Sequence, residues 1–361
     1  MKNNKNKIWL ICACAMVLGL ILGIIGFVCG GARAVNVNQS GIHISSGALQ
    51  TIKDLNLNAF QSIDLDTKDF NIEFVQSEHY GIEISYYNDD HQPTYSVENG
   101  TLKASDGEQN QFYNLNFGFF WHPNTMKIYL PKNVSLKDVT IKNASGSINI
   151  ADFSAQTTNI GLSSGNLTMH DAASNTLTIT LSSGNITLEN VNSETAENTK
   201  IESQSGWINI KNLSSKTLAV SAKSGNIDLK GITTSQFSSD SKSGNTTIQN
   251  SKIGNSNLES QSGNLIATDI TTDSLTAKCS SGYVKFNGAL GGKTDLQASS
   301  GNVDFSTSIA EDQYSYGLTA RSGNIRVNGD GDADHTKLNN GAANELTINT
   351  KSGNINADFQ K

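Results

Sequence analysis

The sequence predicts an all-β protein: a single-stranded parallel β-helix (β-solenoid) of about 19 residues per coil, behind one N-terminal transmembrane helix. Three observations predict it. A Ser-Gly dipeptide recurs at a nearly fixed interval, apolar and polar residues alternate on both sides of it, and a long stretch near the start of the chain carries no charge. A fixed period of about 20 residues is typical of a solenoid, in which each repeat covers the apolar face of its neighbour.

The Ser-Gly repeat defines the coil. Seven of the ten intervals between its glycines equal the first one, from 146 to 165, while two are slightly longer and the last is the longest. Asn follows the glycine in eight of eleven copies. Because Gly tolerates positive φ and Asn visits the left-handed region more readily than most residues, the pair predicts a corner. The glycines are Gly146, Gly165, Gly184, Gly206, Gly225, Gly244, Gly263, Gly282, Gly301, Gly323 and Gly353.

Alignment on that glycine shows columns of apolar residues. They stand two and four positions after it and five positions before it, as in Ile186, Leu188 and Ile179 around Gly184. This alternation is the pattern of strands with one buried face. All three prolines precede the array, as expected where each coil donates backbone N–H groups to the next. About ten or eleven coils at about 4.8 Å each predict a rod of roughly 50 Å, with right-handed winding as the default.

The domain boundaries follow from these patterns. We predict a cytoplasmic N-terminus at 1–7, a transmembrane anchor at 8–30 and a polar spacer at 31–53. Residues 54–137 alternate like strands but lack the Ser-Gly corner, so they are assigned to irregular first coils and a cap. The β-solenoid proper is 138–361, and the insertion between Gly323 and Gly353 is assigned to the opposite end.

The uncharged stretch Ile8 to Val28 places the protein in the cell membrane. It is preceded by Lys2, Lys5 and Lys7. At about 1.5 Å per residue, a helix of this length spans a bilayer core of about 30 Å. The lysines favour a cytoplasmic N-terminus, so a single-pass protein with the bulk of the chain extracellular is expected. The alternative is a cleaved signal peptide, because Ala32-Arg33-Ala34 fits an A-x-A site, although its apolar region should be shorter.

Charge argues against a nucleic-acid partner. The whole chain has 26 basic and 33 acidic residues, and four of the basic ones lie in residues 1–33, so the remainder has a net charge of 22 − 33 = −11. Nucleic-acid affinity comes largely from Lys and Arg replacing counterions. The interpretation is therefore a membrane-bound protein that does not bind nucleic acid.

Cysteine use excludes an intramolecular disulfide outside the membrane segment. Cys279 stands alone there, because Cys12, Cys14 and Cys29 lie in the apolar segment. Cys279 falls three positions before Gly282, in a column shared with leucines and alanines. It is therefore predicted to be a buried core residue rather than a reactive or metal-binding thiol.

No catalytic residues, cofactor or metal are predicted. Gly161-Leu162-Ser163-Ser164-Gly165 matches the G-x-S-x-G hydrolase pattern, but lies in a strand array instead of a strand-to-helix elbow. Asp240 and Glu259, one coil apart, are the best carboxylate pair for a polysaccharide-active enzyme, although an exposed ion-pair ladder with lysines explains them better. Lys285, Asp304 and Arg326 alternate in sign in another column.

An acidic loop leaves calcium binding open. Asp330, Asp332 and Asp334 resemble the start of a calcium loop. His335 replaces the expected glycine, and Gly341 stands where the bidentate Glu should be. A polar loop tip without metal is the preferred interpretation.

Aromatic residues are the candidates for ligand contact. Six of the ten residues from Phe112 to Trp121 are aromatic, including Phe119, Phe120 and Trp121. Such a segment either stacks on sugars and the membrane interface or, in the preferred interpretation, plugs the first coil. Trp207 and Tyr283 occupy the corner position usually held by Asn and are predicted to be exposed.

The anchor, the opening strands, the step Tyr129-Leu130-Pro131 and the Ser-Gly-Asn-Ile copies together resemble the bacterial "putative adhesin" family of β-strand repeat envelope proteins. The resemblance covers roughly residues 54 to 359. It implies an envelope location and no established catalytic residues.

The expected function is a non-catalytic surface protein that contacts cell-wall polysaccharide or a host surface. Many weak, equally spaced sites on such a rod can sum to useful avidity. The alternatives are an accessory or sensor protein of an envelope-stress response and, third, a polysaccharide-active β-helix enzyme. The sequence does not name a protein partner.

Overall fold

The structure is a computed structural model that describes residues 15–24, 34–38, 41–45, 49–87, 92–106, 115–118, 123–191, 196–333 and 335–360. It confirms the predicted all-β class and the stacked repeat. Of the predicted anchor, residues 15–24 are described and form a helix. Among the residues described, no helix is both long and apolar enough to cross a membrane.

The described part of the N-terminal region holds ten strands. They are β1 (Ala34–Asn38), β2 (Gly41–Ser45), β3 (Gln50–Asp54), β4 (Ser62–Thr67), β5 (Phe70–Ser77), β6 (Gly81–Tyr86), β7 (Thr94–Glu98), β8 (Thr101–Ser105), β9 (Leu115–Gly118) and β10 (Asn124–Pro131).

The central coils come next. Their strands are β11 (Ser135–Asn143), β12 (Ile148–Ala151), β13 (Ser154–Ser164), β14 (Leu167–His170), β15 (Ala173–Ser183), β16 (Ile186–Glu189), β17 (Asn198–Ser205), β18 (Ile208–Lys211), β19 (Ser214–Ser224), β20 (Ile227–Lys230), β21 (Thr233–Ser243), β22 (Thr246–Ser262), β23 (Leu265–Ser281), β24 (Val284–Ser300) and β25 (Val303–Ala310).

The C-terminal region begins with a short 3₁₀ turn, Glu311–Gln313. Its strands are β26 (Tyr314–Ala320), β27 (Ile325–Val327), β28 (Asp330–Ala333), β29 (His335–Leu338), β30 (Asn344–Ser352) and β31 (Ile355–Gln360).

Each regular coil contains a long strand, the Ser-Gly corner and a short strand. In one coil these are β13, Gly165 and β14, and the next coil repeats them as β15, Gly184 and β16. Both ladders are parallel and in register: Ile160 pairs with Ile179, and Leu167 pairs with Ile186. The predicted inward columns form one continuous core, in which Ile179, Ile186 and Leu188 are fully or almost fully buried.

Two inward positions carry hydroxyls where the columns are otherwise aliphatic. Ser239 and Thr246 are buried, and their Oγ and Oγ1 atoms have no hydrogen-bond partner. A buried unsatisfied hydroxyl costs about 1 to 3 kcal/mol. The coil of Gly244 is therefore less stabilised at these two positions than the neighbouring coils, which carry aliphatic residues there.

The first coil lies earlier in the chain than the repeat does. It consists of β4 and β5, which pair in parallel with β11 and β12 of the next coil. On the other side, β4 pairs with β8 and β5 with β10, while β3 adds an antiparallel strand against β6. The structure thus places Gln50–Asp54 in the cap, where a polar spacer was expected, because Ile52 packs against the core.

At the C-terminal end the coils do not stack in chain order. β24 pairs with β30 and β25 with β31, so the last segment of the chain covers the coil of Gly301. The segment before it lies outside, because β26 and β27 pair with the opposite edges of β30 and β31. The strands β26 and β27 therefore form an outer coil, and the insertion supplies the antiparallel strands β28 and β29, which pair with them. Both ends of the rod thus carry antiparallel strands beside the parallel stack.

The Ser-Gly corner requires glycine for two separate reasons. Gly184 has a φ of +124°, which side chains rarely tolerate. A Cβ atom added there would lie 1.8 Å from the carbonyl oxygen of Gly165 in the neighbouring coil. The same close approach repeats along the rod, so the glycine column is a direct backbone-to-backbone contact.

A second corner was not predicted. Six positions after the glycine, Asp171, Asn190 and Asn212 adopt φ values of 50°, 54° and 53°. Asn and Asp enter this left-handed region more easily than other side-chain-bearing residues. Their side chains also connect coils, because Asn190 Nδ2 donates to Asp171 Oδ1 at 2.9 Å and Asn212 Nδ2 donates to Asn190 Oδ1 at 2.9 Å.

We predict that Gly184→Ala destabilises the protein by roughly 4 kcal/mol or more, because the new methyl group would overlap the Gly165 carbonyl. Gly161→Ala in the preceding coil is the control. Its Cβ would meet nothing closer than 3.9 Å, and its φ is not positive, so a change within about 1 kcal/mol is expected. Urea unfolding of both variants measures the difference. Equal losses would mean that the stacked backbone contact is not the cause.

We predict slow labelling of Cys279 by a thiol reagent in the native protein. Its side chain is 3% exposed, and burial raises the pKa of the thiol, so little reactive thiolate forms. Labelling should follow the opening of the coil and accelerate in urea. Rapid labelling at native conditions, while the far-UV circular dichroism is unchanged, would contradict the assignment of Cys279 to the core.

Candidate functional site

The corner ridge is the most regular surface of the rod. We use this name for the Ser-Gly glycines, the serine before each and the residue after each. The serine is present and exposed in all eleven copies. Because the glycine backbones touch, the ridge brings the residues that follow them into one column, with about 4.8 Å between neighbouring coils.

Asparagine in this column forms a hydrogen-bonded ladder. The backbone N–H of Asn185 donates to Asn166 Oδ1 at 3.0 Å, and the same bond runs from Asn245 to Asn226 and from Asn264 to Asn245. The Gly-Asn pair forms the predicted corner, and within it only the glycine has positive φ. Asn is selected here because its side-chain oxygen accepts the N–H of the next coil.

Trp207 interrupts this ladder. Its backbone N–H still donates to Asn185 Oδ1 at 3.0 Å, but the indole has no acceptor for the next coil. The side chain is 56% exposed, as expected for this position. Among the described residues that follow a Ser-Gly glycine, it places the largest exposed apolar surface on the ridge.

Tyr283 occupies the same column but is only partly exposed. Its hydroxyl donates to Asp304 Oδ2 in the next coil. Burial, this hydrogen bond and the Asp304 charge together raise the pKa of Tyr283 to about 12. Tyr283 is therefore a neutral side chain that is hydrogen-bonded to the next coil. It differs in this from Trp207, whose side chain is more exposed.

Phe119, Phe120 and Trp121 lie outside the described residues. Within that aromatic segment, the described part is β9, which pairs antiparallel with β1. Whether the segment plugs the first coil or faces a ligand stays a prediction.

The long-strand face carries the carboxylates considered for catalysis. Asp240 and Glu259 are in-register neighbours, as predicted. Glu259 Oε1 lies 3.8 Å from Lys278 Nζ, and the two side chains are 50% and 55% exposed. This is an exposed ion pair of the kind that contributes about 0 to 1 kcal/mol.

The predicted charge ladder of Lys285, Asp304 and Arg326 is wrong in its last step. Asp304 pairs with Asn356, and Asn356 in turn pairs with Arg326, because the final coil enters between them. Asn356 Nδ2 donates to Asp304 Oδ1 at 2.8 Å. Both carboxylate oxygens of Asp304 are thus held by neutral donors, Asn356 and Tyr283.

The remaining motifs do not assemble into a site. The G-x-S-x-G stretch belongs to extended β13 and the corner at Gly165. Asp330 and Asp332 lie in β28, while Asp334 is outside the described residues. In the part of the chain that the structure describes, no three His, Cys, Asp or Glu side chains come together as a metal site.

A groove of about 600 Å³ runs along a bend that recurs about nine positions after the Ser-Gly glycine. Its charged lining includes Lys216, Glu197, Lys252 and Asp273, and Lys216 Nζ lies 3.1 Å from Glu197 Oε2. Ser215 and Thr234 stabilise this bend through side-chain bonds to the carbonyls of Thr217 and Gln236, at 2.9 Å each. We therefore regard it as a structural bend with a mixed-charge surface.

Sequence reasoning missed two features that a column-by-column alignment contains. The Asn, Asp or Gly six positions after the glycine marks the second corner. The Ser or Thr nine positions after it marks the bend, as in Ser215, Thr234 and Thr272. Both recur with the same period as the Ser-Gly glycine, so the period itself was the signal.

The fold and the ridge define a capped parallel β-solenoid with stacked Ser-Gly corners. The family model described as Toastrack DUF4097 matches residues 60–229 and 197–358, and the chain belongs to this family of unknown function. The two matched ranges together span the coils from the first to the last. The resemblance stated from the sequence is confirmed.

Several solved bacterial structures are similar to the chain at low identity. A "putative adhesin" from Bacteroides fragilis NCTC 9343 is 15% identical, with 86% of this chain and 97% of that chain covered and a TM-score of 0.28. A "putative cell adhesion protein" from Clostridium sporogenes ATCC 15579 is 11% identical, with 86% and 100% covered and a TM-score of 0.20.

A "putative lipid binding protein" from Parabacteroides distasonis ATCC 8503 is 12% identical, with 88% and 98% covered and a TM-score of 0.28. At such TM-scores these similarities say nothing about what this chain binds. No curated protein matches the sequence.

We predict that Trp207→Asn stabilises the protein by about 1 kcal/mol, because the new side chain would give Asn226 N–H an acceptor and restore the ladder. Asn245→Ala is the reverse experiment. It removes the acceptor of Asn264 N–H and should cost about 1 kcal/mol. Chemical unfolding measures both changes. A loss of stability in Trp207→Asn would show that the indole supports the fold.

Proposed function

We propose that the protein is a membrane-tethered, extracellular β-solenoid whose corner ridge contacts a glycan polymer of the cell envelope or of a host surface. This is an adhesin-like, non-catalytic role. The observation that carries the proposal is Trp207, which is 56% exposed in a column where Asn is the structural choice.

The ridge gives up stability at this position. An Asn at 207 would add a hydrogen bond to the next coil, as Asn226 and Asn245 do for theirs. The indole instead leaves a broad apolar face with a polar N–H in contact with solvent. Residues that lower stability without a packing reason are typical of functional surfaces, and a flat aromatic face suits the apolar face of a sugar ring.

The repeat supports a polymer rather than a single small molecule. The exposed serines of the ridge recur in all eleven Ser-Gly corners, and asparagine follows the glycine in eight of them. Equally spaced weak contacts bind an extended polymer through avidity, whereas a small ligand would need one enclosed pocket.

The tether and the absence of catalysis are parts of the same proposal. The uncharged stretch from Ile8 to Val28, with three lysines before it, supports a membrane-bound N-terminus and an external rod. The ion pair of Glu259 with Lys278 supports a structural role for the carboxylate pair that most resembled a catalytic one.

The test uses intact cells that express the full chain, incubated with labelled glycans and with fragments of bacterial cell wall. We expect binding at the cell surface, and at least a tenfold loss of affinity in both Trp207→Ala and Trp207→Asn, since removal of a central aromatic anchor costs about 2 kcal/mol or more. Asn226→Ala is the control, because it removes a ladder bond and leaves Trp207 in place.

The outcomes separate binding from folding. Because Trp207→Asn should be more stable than the native protein, loss of binding in that variant cannot come from unfolding. Unchanged binding in Trp207→Asn would overturn the role of the ridge. Binding that occurs only after the cells are lysed would overturn the extracellular location.

A further inference from the structure

One solvent-facing column beside the corner ridge carries four cations and no acid. It stands two positions before each Ser-Gly glycine, and we call it the basic column. Beyond residue 33 the chain has 33 acidic and 22 basic residues, so a column with four cations and no acid departs from this overall excess of acids. In the spatial order of the coils it contains Ala144, Ser163, Ser182, Gln204, Lys223, Lys242, Gln261, Ser280, Ser299, Lys351 and Arg321.

The four cations form two like-charge pairs. Lys223 lies beside Lys242, because Ala222 pairs in register with Ser241. Lys351 lies beside Arg321 because the outer coil stacks on the final one, with Arg321 N–H donating to the Thr350 carbonyl at 3.0 Å. Like charges directly opposite on neighbouring strands destabilise a sheet.

Acids on the same face, two positions before the basic column, form no ion pair with its cations in the described part of the chain; they are Glu202, Asp240 and Glu259. None of the four makes an ion pair there, although Lys216, Lys200 and Lys278 do. All four side chains are exposed. An external anion would relieve the repulsion of each pair, so the arrangement favours binding of negative charge.

The second pair lines a groove of about 490 Å³ at the C-terminal end of the long-strand face. The groove is lined by Lys278, Arg321 and Lys351 together with neutral hydrogen-bonding residues, and by no carboxylate. Asp295, on the same face, accepts two hydrogen bonds from Gln297 at 3.3 and 3.1 Å. The groove therefore presents cations and neutral donors to a ligand.

The spacing of the pairs calls for an extended ligand. Lys242 and Lys351 are four coils apart, which is about 19 Å at about 4.8 Å per coil. Trp207 lies in the coil next to that of Lys223, on the ridge that borders the column. A single polymer along the rod axis would meet the indole first and then both cation pairs.

We propose that the corner ridge and the basic column form one binding track for an anionic polysaccharide, whose acidic groups sit on the Lys223–Lys242 and Lys351–Arg321 pairs. The inference rests on the proposed function for its glycan partner and adds the charge and the direction of that partner. An acidic polymer is attracted to this track even though the whole protein is negative, because salt screens charges beyond about 10 Å.

The experiment measures binding of polygalacturonate, digalacturonate and neutral amylose to the full chain in mild detergent. The variants are Lys223→Gln with Lys242→Gln, and Lys351→Gln with Arg321→Gln. The matched control is Lys211→Gln with Lys230→Gln, an exposed in-register lysine pair on the short-strand face. All three double variants remove the same charge.

We expect each basic-column variant to weaken polygalacturonate binding by about tenfold or more, because loss of one pair ends the bridging of both. The slope of log K against log salt concentration should become shallower by about two in each basic-column variant. The control variant should change the affinity by less than twofold. Digalacturonate, too short to bridge the pairs, should bind far more weakly. The midpoint temperature of thermal unfolding should be unchanged or raised, because the repulsion between the two like charges is removed.

The failures are distinguishable. An equal loss in the control variant would mean that total charge alone attracts the polymer, and would overturn the track. Binding of amylose that depends on Trp207, with no preference for polygalacturonate, would overturn this inference and leave the proposed function in place. Absence of binding to all three glycans would overturn this inference. If cell-surface binding is also unchanged in Trp207→Asn, the proposed function is overturned as well.

Discussion

The contact on which the rest of the rod depends is the stacking of one glycine backbone on the next. At Gly206 an added Cβ would lie 1.7 Å from the carbonyl oxygen of Gly184, and the close approach recurs at each regular corner. Because the corners touch, the regular coils share one rise and register, and the aliphatic columns on both sides meet their counterparts. The Asn ladder and the left-handed second corner then hold each coil in that register.

The same glycine contact makes exceptional surface residues easy to recognise. In an array where each outward column repeats every coil, a residue that departs from its column is visible as a departure. Trp207 leaves the Asn ladder without a packing reason, whereas Tyr283 leaves it and regains a bond to Asp304. The two aromatics looked alike in sequence, and they differ because only one has a partner in the next coil.

The ends of the rod show how a parallel stack is closed. Edge strands of a stack expose unpaired backbone groups, which favours end-to-end association. Here antiparallel strands lie beside both terminal coils: β6 pairs with β10 at one end and β29 with β26 at the other. At the C-terminal end the last coil of the sequence also stacks before the preceding one, and that exchange brings Lys351 next to Arg321.

The sequence by itself determined the coil. A fixed period in Gly and aliphatic residues lets each repeat bury its apolar face against the next one, which gives a shared core with stacked corners. It placed Cys279 and the inward columns in that core. Only the tertiary structure decided the order of the terminal coils and hence which charges are neighbours, as Asn356 between Asp304 and Arg326 shows. The physical reason is that a period specifies what each coil contains, while the neighbour of an end coil is chosen by backbone pairing between segments distant in the chain.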